Sequence, residues 1–367
     1  TCIFLAILWR LLRWPLRAWT RAYKRRGREQ LAGGLAGLAE GRYARAERSL
    51  AKAAEHPGLR GVALVALAEA AHARGAPDRA TAALDQAQAD APAAALTVRA
   101  RHLLKDGRPA DALALLQTQA ATGVLTPLGW RLLAEAALAV KDPQTALTAL
   151  EPLNRAQTVV PAKFNALETR VYVAALAASP DVERLNTLWN GIGRNDRKRP
   201  EMIAAFARRS AALGQPLAAM DEIESALRRE WNEKLAAVYG DLGQLDLPAR
   251  TRTAEGWTKS SPNSPALLTT LGRLYRDQSQ WSKARDNLER ALAAGESALA
   301  WETLGDCYRG ENNPTGAAEC YANALRLTRG EASKPLSGRA TAAIADTRAL
   351  MVEERNELGV PRLSNTQ

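Results

Sequence analysis

The 367 residues are dominated by alanine and leucine, with 5% aromatic and 24% charged side chains and a net charge of +11. β-Branched runs are nearly absent, which excludes a large sheet and points to an all-α chain of helices packed through small side chains. Three cysteines (Cys2, Cys307, Cys320) without a Cys-x-x-Cys pair exclude a disulfide framework and a thiolate zinc site.

The positive charge is unevenly placed. Residues 1–30 hold eight Lys or Arg against Glu29 alone, so most of the excess is an N-terminal anchor rather than a basic protein surface. Residues 2–9 are uncharged and apolar, far short of the roughly 20 that a spanning helix needs. The chain opens on Thr, and the charges follow the apolar run, which is the reverse of a signal peptide. The expectation is that residues 1–30 are the C-terminal part of a transmembrane helix plus a basic amphipathic juxtamembrane segment. Trp9, Arg10, Arg13, Trp14, Arg17 and Trp19 would form an interfacial belt against anionic lipids. The positive-inside rule then places everything after them in the cytoplasm.

From residue 31 a repeat of 30 to 37 residues can be followed by a small side chain in the second helix of each unit. The slots are Ala46, Ala80, Ala112, Ala146, a degenerate one near Glu183, then Ala219, Ala249, Ala284 and Ala317. Gly41-Arg-Tyr43, Gly75, Gly107, Trp130 with Leu133, and Gly214 appear where the frame asks for them. The frame is weak at 155–195 and 231–262, where longer helices or shifts of pitch are expected. It is strongest at the end. Leu268, Leu271-Gly272, Tyr275, Ala284, Leu288 and Ala291 are repeated 33 residues on as Trp301, Leu304-Gly305, Tyr308, Ala317, Tyr321 and Ala324, with Trp281 in the turn between two halves. Gly272 and Gly305 let two helices approach, Trp301, Leu304 and Tyr308 form a knob, and Ala317 and Ala324 leave its hole. These are tetratricopeptide (TPR) units, and no single hairpin of this kind buries its own apolar face.

Prolines punctuate the frame at Pro57, Pro92, Pro143, Pro180, Pro200, Pro216, Pro262 and Pro314, because the residue before proline leaves the helical region. The predicted architecture is a TPR-type α-solenoid of about eight to nine hairpins over 31–328. A C-terminal capping segment follows at 329–358, with its helix at 338–356, and a disordered tail at 359–367.

Chemistry-bearing motifs are missing. His56, His72 and His102 have no partner at ligand spacing and are surface or packing residues; Cys307 and Cys320 are small buried apolar groups. No glycine-rich nucleotide loop, Walker lysine or haem-attachment motif is present, so no metal or cofactor is expected and catalysis is not. No nucleic-acid motif accompanies the basic residues. What a stacked array offers is a groove lined by first helices, where Arg101, Arg131, Tyr172, Arg208, Arg273, Arg276, Glu302 and Arg309 would point inward. Several arginines there suit a carboxylate-bearing partner, either an acidic peptide or a propionate-bearing porphyrin. A basic loop at Trp189, Arg194, Arg197, Lys198 and Arg199 is a second candidate contact surface.

The whole pattern resembles the HemY family of proteobacterial inner-membrane TPR proteins. The resemblance is carried by the Trp-Arg-rich run to Arg26, Leu38-Ala-Glu-Gly41-x-Tyr43, the Trp189, Arg194 and Arg197 segment, and the Leu271-Gly272 and Leu304-Gly305 repeats. It implies a non-catalytic scaffold at the inner membrane, with its TPR domain in the cytoplasm, that supports late haem synthesis by binding biosynthetic enzymes or porphyrin. It also implies that the N-terminal membrane region is longer than the part present here. The competing reading is a membrane-anchored TPR adaptor of another envelope pathway, such as lipopolysaccharide assembly, although the C-terminal cysteine pairs of that type are missing.

Overall fold

In the computed structural model, residues 22–122, 125–156 and 160–337 are described. The interfacial Trp and Arg residues, the expected helix at 338–356 and the tail lie outside them. Among the described residues there is no strand, and no helix is long and apolar enough to cross a membrane.

The chain divides into two units, Thr1–Ala178 and Ser179–Gln367. In the first, α1 (22–39) pairs with α2 (Tyr43–Ala54), α3 (Arg60–Ala73) with α4 (Pro77–Ala87), and α5 (Pro92–Lys105) with α6 (Pro109–Ala120). Next come α7 (Pro127–Ala139), against a second helix broken into α8 (Pro143–Thr148) and α9 (Leu150–Ala156), and then α10 (Pro161–Ala177). The second unit opens with α11 (Val182–Gly191) and a 3-10 turn (Asp196–Lys198). Four hairpins follow: α12 (Pro200–Ala212) with α13 (Pro216–Arg229), α14 (Glu233–Gly240) with α15 (Leu247–Trp257), α16 (Pro265–Asp277) with α17 (Trp281–Ala294), and α18 (Ala298–Gly310) with α19 (Pro314–Thr328). Each unit is an all-helical, TPR-like stack.

The local rules are simple. Most of these helices have 10 to 14 residues, too short to be stable alone, so neighbours supply the stability. Many open with proline at the first position, where a missing N–H costs nothing. Thr126, Asp181, Ser264, Ser297 and Asn313 cap their helices by accepting an N–H three residues on. The turn between the two helices of a hairpin needs a left-handed residue. Gly41, Gly75, Gly107 and Gly214 supply it at φ 71° to 80°, while Lys141, Ser279 and Asn312 adopt it at 58° to 62° at a steric cost.

The frame holds at Ala46, Ala80, Ala112, Ala146, Ala219, Ala284 and Ala317, all buried. Two slots need correction. Glu183 is exposed, and the buried face of α11 runs through Leu185 and Trp189. Ala249 is only half-buried. The slot 34 residues before Ala284 belongs to Arg250, which is fully buried. Its guanidinium donates to the carbonyls of Tyr239 and Gly243 and lies over the Tyr239 ring, so it caps the end of α14. This explains the weak zone at 231–262: α14 is cut to 8 residues, the opposite of a longer helix. The other weak zone does hold a long helix, α10, of 17 residues. Trp281 is the first residue of α17 rather than part of a turn.

The close approach at the two glycines is real, but its partners are large side chains. A Cβ on Gly272 would sit 2.5 Å from Leu288, and one on Gly305 would sit 2.6 Å from the Tyr321 ring. After α19, residues 331–336 run without helix and fold back along it, with Leu336 buried in the core of the second unit.

Candidate functional site

The first helices carry the residues expected to receive a partner, and the structure pairs most of them. In the first unit Arg101 of α5 binds Glu69 of α3, and Arg131 of α7 reaches Glu135 at 3.1 Å. Tyr172 of α10 packs against the core of that unit. In the second unit Arg273 of α16 binds Asp241, and Arg276 lies 2.6 Å from Asp277 and 2.9 Å from Asp306 of α18. Asp306 is a hub, since it also accepts from Arg309 at 3.1 Å and from the Tyr321 hydroxyl at 2.8 Å. The carboxylates beside Arg276 outweigh its burial and raise its pKa further.

Partly buried arginine–carboxylate pairs give up little charge to a newcomer, because binding one would first leave the other partner unpaired. The exception is Arg208 of α12, which is exposed and has no partner among the described residues. Glu302 is exposed as well. In each unit the first helices therefore carry mostly paired charges.

The basic loop separates into two kinds of residue. Trp189 is 5% exposed and stacks on Phe206 with ring centroids 4.4 Å apart, so it belongs to the core and not to a contact surface. Arg199 binds Asp196. Arg194 and Lys198 are exposed, and Arg197 is half-buried.

Sequence reasoning missed the histidine pair of the first unit. His72 of α3 and His102 of α5 stack with centroids 3.8 Å apart and planes 5° from parallel. Asp106 lies 3.5 Å from His72, and Glu69 lies 3.5 Å from His102. Burial, and then the neighbouring His102, lower the His72 pKa. Burial raises that of Glu69, but the nearby His102 and the charge of Arg101 outweigh it and hold the carboxyl low. The readable signal was spacing: acids stand 30 to 34 residues from their basic partners, one repeat away, at Glu69 and Arg101, His72 and Asp106, Asp241 and Arg273, and Arg276 and Asp306.

The cysteines are where packing alone would put them. Both are buried and free, and burial pushes each thiol up to about 12. Among the described residues no group of His, Cys, Asp and Glu could hold a metal ion.

Comparison with known proteins adds the following. Residues 1–75 match the family described as HemY protein N-terminus, and residues 97–153 and 269–332 match the tetratricopeptide repeat. The stretch between the two repeat matches contains both weak zones. No match is found among curated proteins. Similar solved structures include a tetratricopeptide repeat protein from Parabacteroides merdae (12% identity, 77% of this chain and 99% of that one, TM-score 0.36). Others are the Cut9–Hcn1 hetero-tetramer of APC/C (14%, 84% and 68%, 0.35) and yeast Tom70 (13%, 83% and 69%, 0.31). The N-terminal match joined to the TPR repeats supports a HemY-family TPR protein.

Proposed function

We propose that the protein is a non-catalytic scaffold, tethered at the bacterial inner membrane with its TPR domain in the cytoplasm, that holds enzymes of late haem synthesis. The N-terminal match to HemY supports the pathway, and the stacked hairpins support docking of proteins. The tether would be the basic, tryptophan-bearing residues before position 30, through anionic lipids.

The observation that favours proteins over porphyrin as the ligand is the paired state of Arg101, Arg131, Arg273, Arg276 and Arg309. Two propionates seeking two arginines would have to break ion pairs, between repeats at Arg101, Arg273 and Arg276 and within one helix at Arg131 and Arg309, whereas a protein surface can use the exposed Arg208 and Arg194. Affinity capture from detergent-solubilised proteobacterial membranes tests this reading. Recovery of late haem-synthesis enzymes, weakened by the double change R194E/R208E, is expected. Recovery of lipopolysaccharide-assembly proteins instead would replace the pathway. A saturable Soret shift on haem titration, lost in R273A/R276A, would replace the ligand class.

A further inference from the structure

Second helices of neighbouring hairpins leave a furrow between them, floored by the first helix that lies between. In the second unit the furrow between α17 and α19, over α18, is partly filled by the chain itself, whose Leu336 and Ser337 line what remains of it, a cavity of about 330 Å³. The Asn323 side chain accepts the Lys334 N–H at 2.8 Å and donates to the Lys334 carbonyl at 2.7 Å, as a neighbouring strand would. Glu319 accepts the Ser337 N–H at 3.0 Å and its hydroxyl at 2.5 Å, and Glu296 accepts the Ser333 hydroxyl at 2.5 Å. Between these anchors Leu336 is buried in the core.

The same furrow exists in the first unit between α2 and α4, over α3, and no other described segment enters it. It encloses a cavity of about 260 Å³, floored by Leu64 and Leu67, with Ala51, Ala82 and Ala83 as walls. The two second helices align without a gap: Pro77 with Pro314, Ala80 with Ala317, Ala83 with Cys320, Ala87 with Ala324. That register puts Gln86 where Asn323 stands. Gln86 is exposed at the cavity edge, has no partner among the described residues, and carries the same amide, one donor side and one acceptor side.

The rims differ in charge. Glu289 and Glu319, acids beside the α17/α19 furrow, become Ala51 and Ala82 in the α2/α4 one. The acid that remains, Glu47, is occupied by Arg74 at 2.7 Å and Arg79 at 2.6 Å, which leaves Arg48 as surplus cation. The acids there take the hydroxyls of Ser333 and Ser337 and the Ser337 N–H, and the exposed Lys334 adds a positive charge nearby without a direct ion pair among the described residues. The basic, more apolar rim suits the opposite sign.

We infer that the α2/α4 furrow is a docking site for an extended, acidic, leucine-bearing segment of a partner protein, with leucine in the cavity and backbone bonds to Gln86. The mode is the one residues 331–337 use on α19, with the charges reversed. This inference is independent of the pathway the scaffold serves, so its failure would leave the haem reading untouched.

The test is fluorescence anisotropy on the full chain, with a labelled peptide of residues 331–337 carrying K334E as probe. Saturable binding is expected, weakened about tenfold or more when the probe also carries L336A and when the protein carries A51E/A82E. Those alanines are exposed, so the variant's melting curve should match the parent's, and R48E serves as a second rim variant should it not. The unaltered 331–337 peptide is expected to bind about tenfold more weakly than the probe, and more tightly to A51E/A82E than to the parent. Three results would overturn the inference: no saturation, equal affinity for both peptides, or probe binding indifferent to A51E/A82E, which would place it in the α17/α19 furrow or elsewhere.

Discussion

The two units run one frame with different materials. In the first, alanines fill most second-helix slots, and the close approach of Gly34 to Leu50, where a Cβ would sit 2.5 Å from the side chain, is followed one turn on by a looser one of Gly37 to Ala46 at 3.2 Å. In the second, Gly272 meets Leu288 at the same 2.5 Å, but Gly305 meets the Tyr321 ring at 2.6 Å, Trp301 and Tyr275 enter the core, and one slot holds an arginine. The polar contacts differ likewise, a stacked histidine pair in one and the Asp306 hub in the other. The difference teaches that a solenoid preserves spacing and helix ends, while the occupant of a slot is free to change if its neighbours change with it.

Arg250 offers the largest break. R250A restores the alanine of the frame, yet it strips the Tyr239 and Gly243 carbonyls of their donor and leaves a cavity. A loss of about 3 kcal/mol is expected in chemical denaturation, with faster amide exchange confined to the second unit. If R250A is neutral, the arginine is mere filling.

Next come the glycines. G305A forces a methyl onto the Tyr321 ring and should cost about 1–3 kcal/mol, whereas G37A needs Ala46 to yield only a few tenths of an ångström and should cost less than 1 kcal/mol. Equal costs would show that the Tyr321 ring yields as easily as Ala46 does.

Acid sharpens the comparison, because all three histidines lie in the first unit. The His72 pKa is lowered from 6.5, so the unfolded chain takes up the proton first, and stability falls as pH drops through that value. The Glu69 contribution, present above 4.5, is lost at still lower pH. His102, Glu69, Asp106 and Lys105 are the groups facing the ring. Amide protection relative to the intrinsic exchange rate should fall between pH 7 and 5.5 more in the first unit than in the second, and H72F should flatten that step.

The smallest effect expected is a gain. K141G relieves a left-handed lysine at φ 62° and should raise stability by about 0.5–1 kcal/mol, as should S279G in the second unit.

Much of this fold is legible in the residues. Proline at helix starts, glycine at the inner turns and alanine at the packing slot each follow from backbone sterics, so period and helix ends come through. Arg250 does not, because nothing local distinguishes a buried arginine from a surface one beside a half-buried alanine. The candidate site was legible in position but not in state. The arginines of the first helices are on the expected elements, yet the partners of Arg101, Arg273 and Arg276 include acids one repeat away, and only the shared spacing to Glu69, Asp241 and Asp306 hinted at the pairing. Trp189 misled because a tryptophan among arginines resembles a surface motif, while Phe206 buries it.

The central claim is that this array docks proteins rather than carrying out chemistry or holding porphyrin. The most direct measurement is photo-crosslinking in intact membranes from a reactive residue placed at position 208. The expected result is a discrete adduct containing a late haem-synthesis enzyme, absent when the same residue is placed at buried position 189; crosslinks to lipid alone, or to no protein of that pathway, would contradict it.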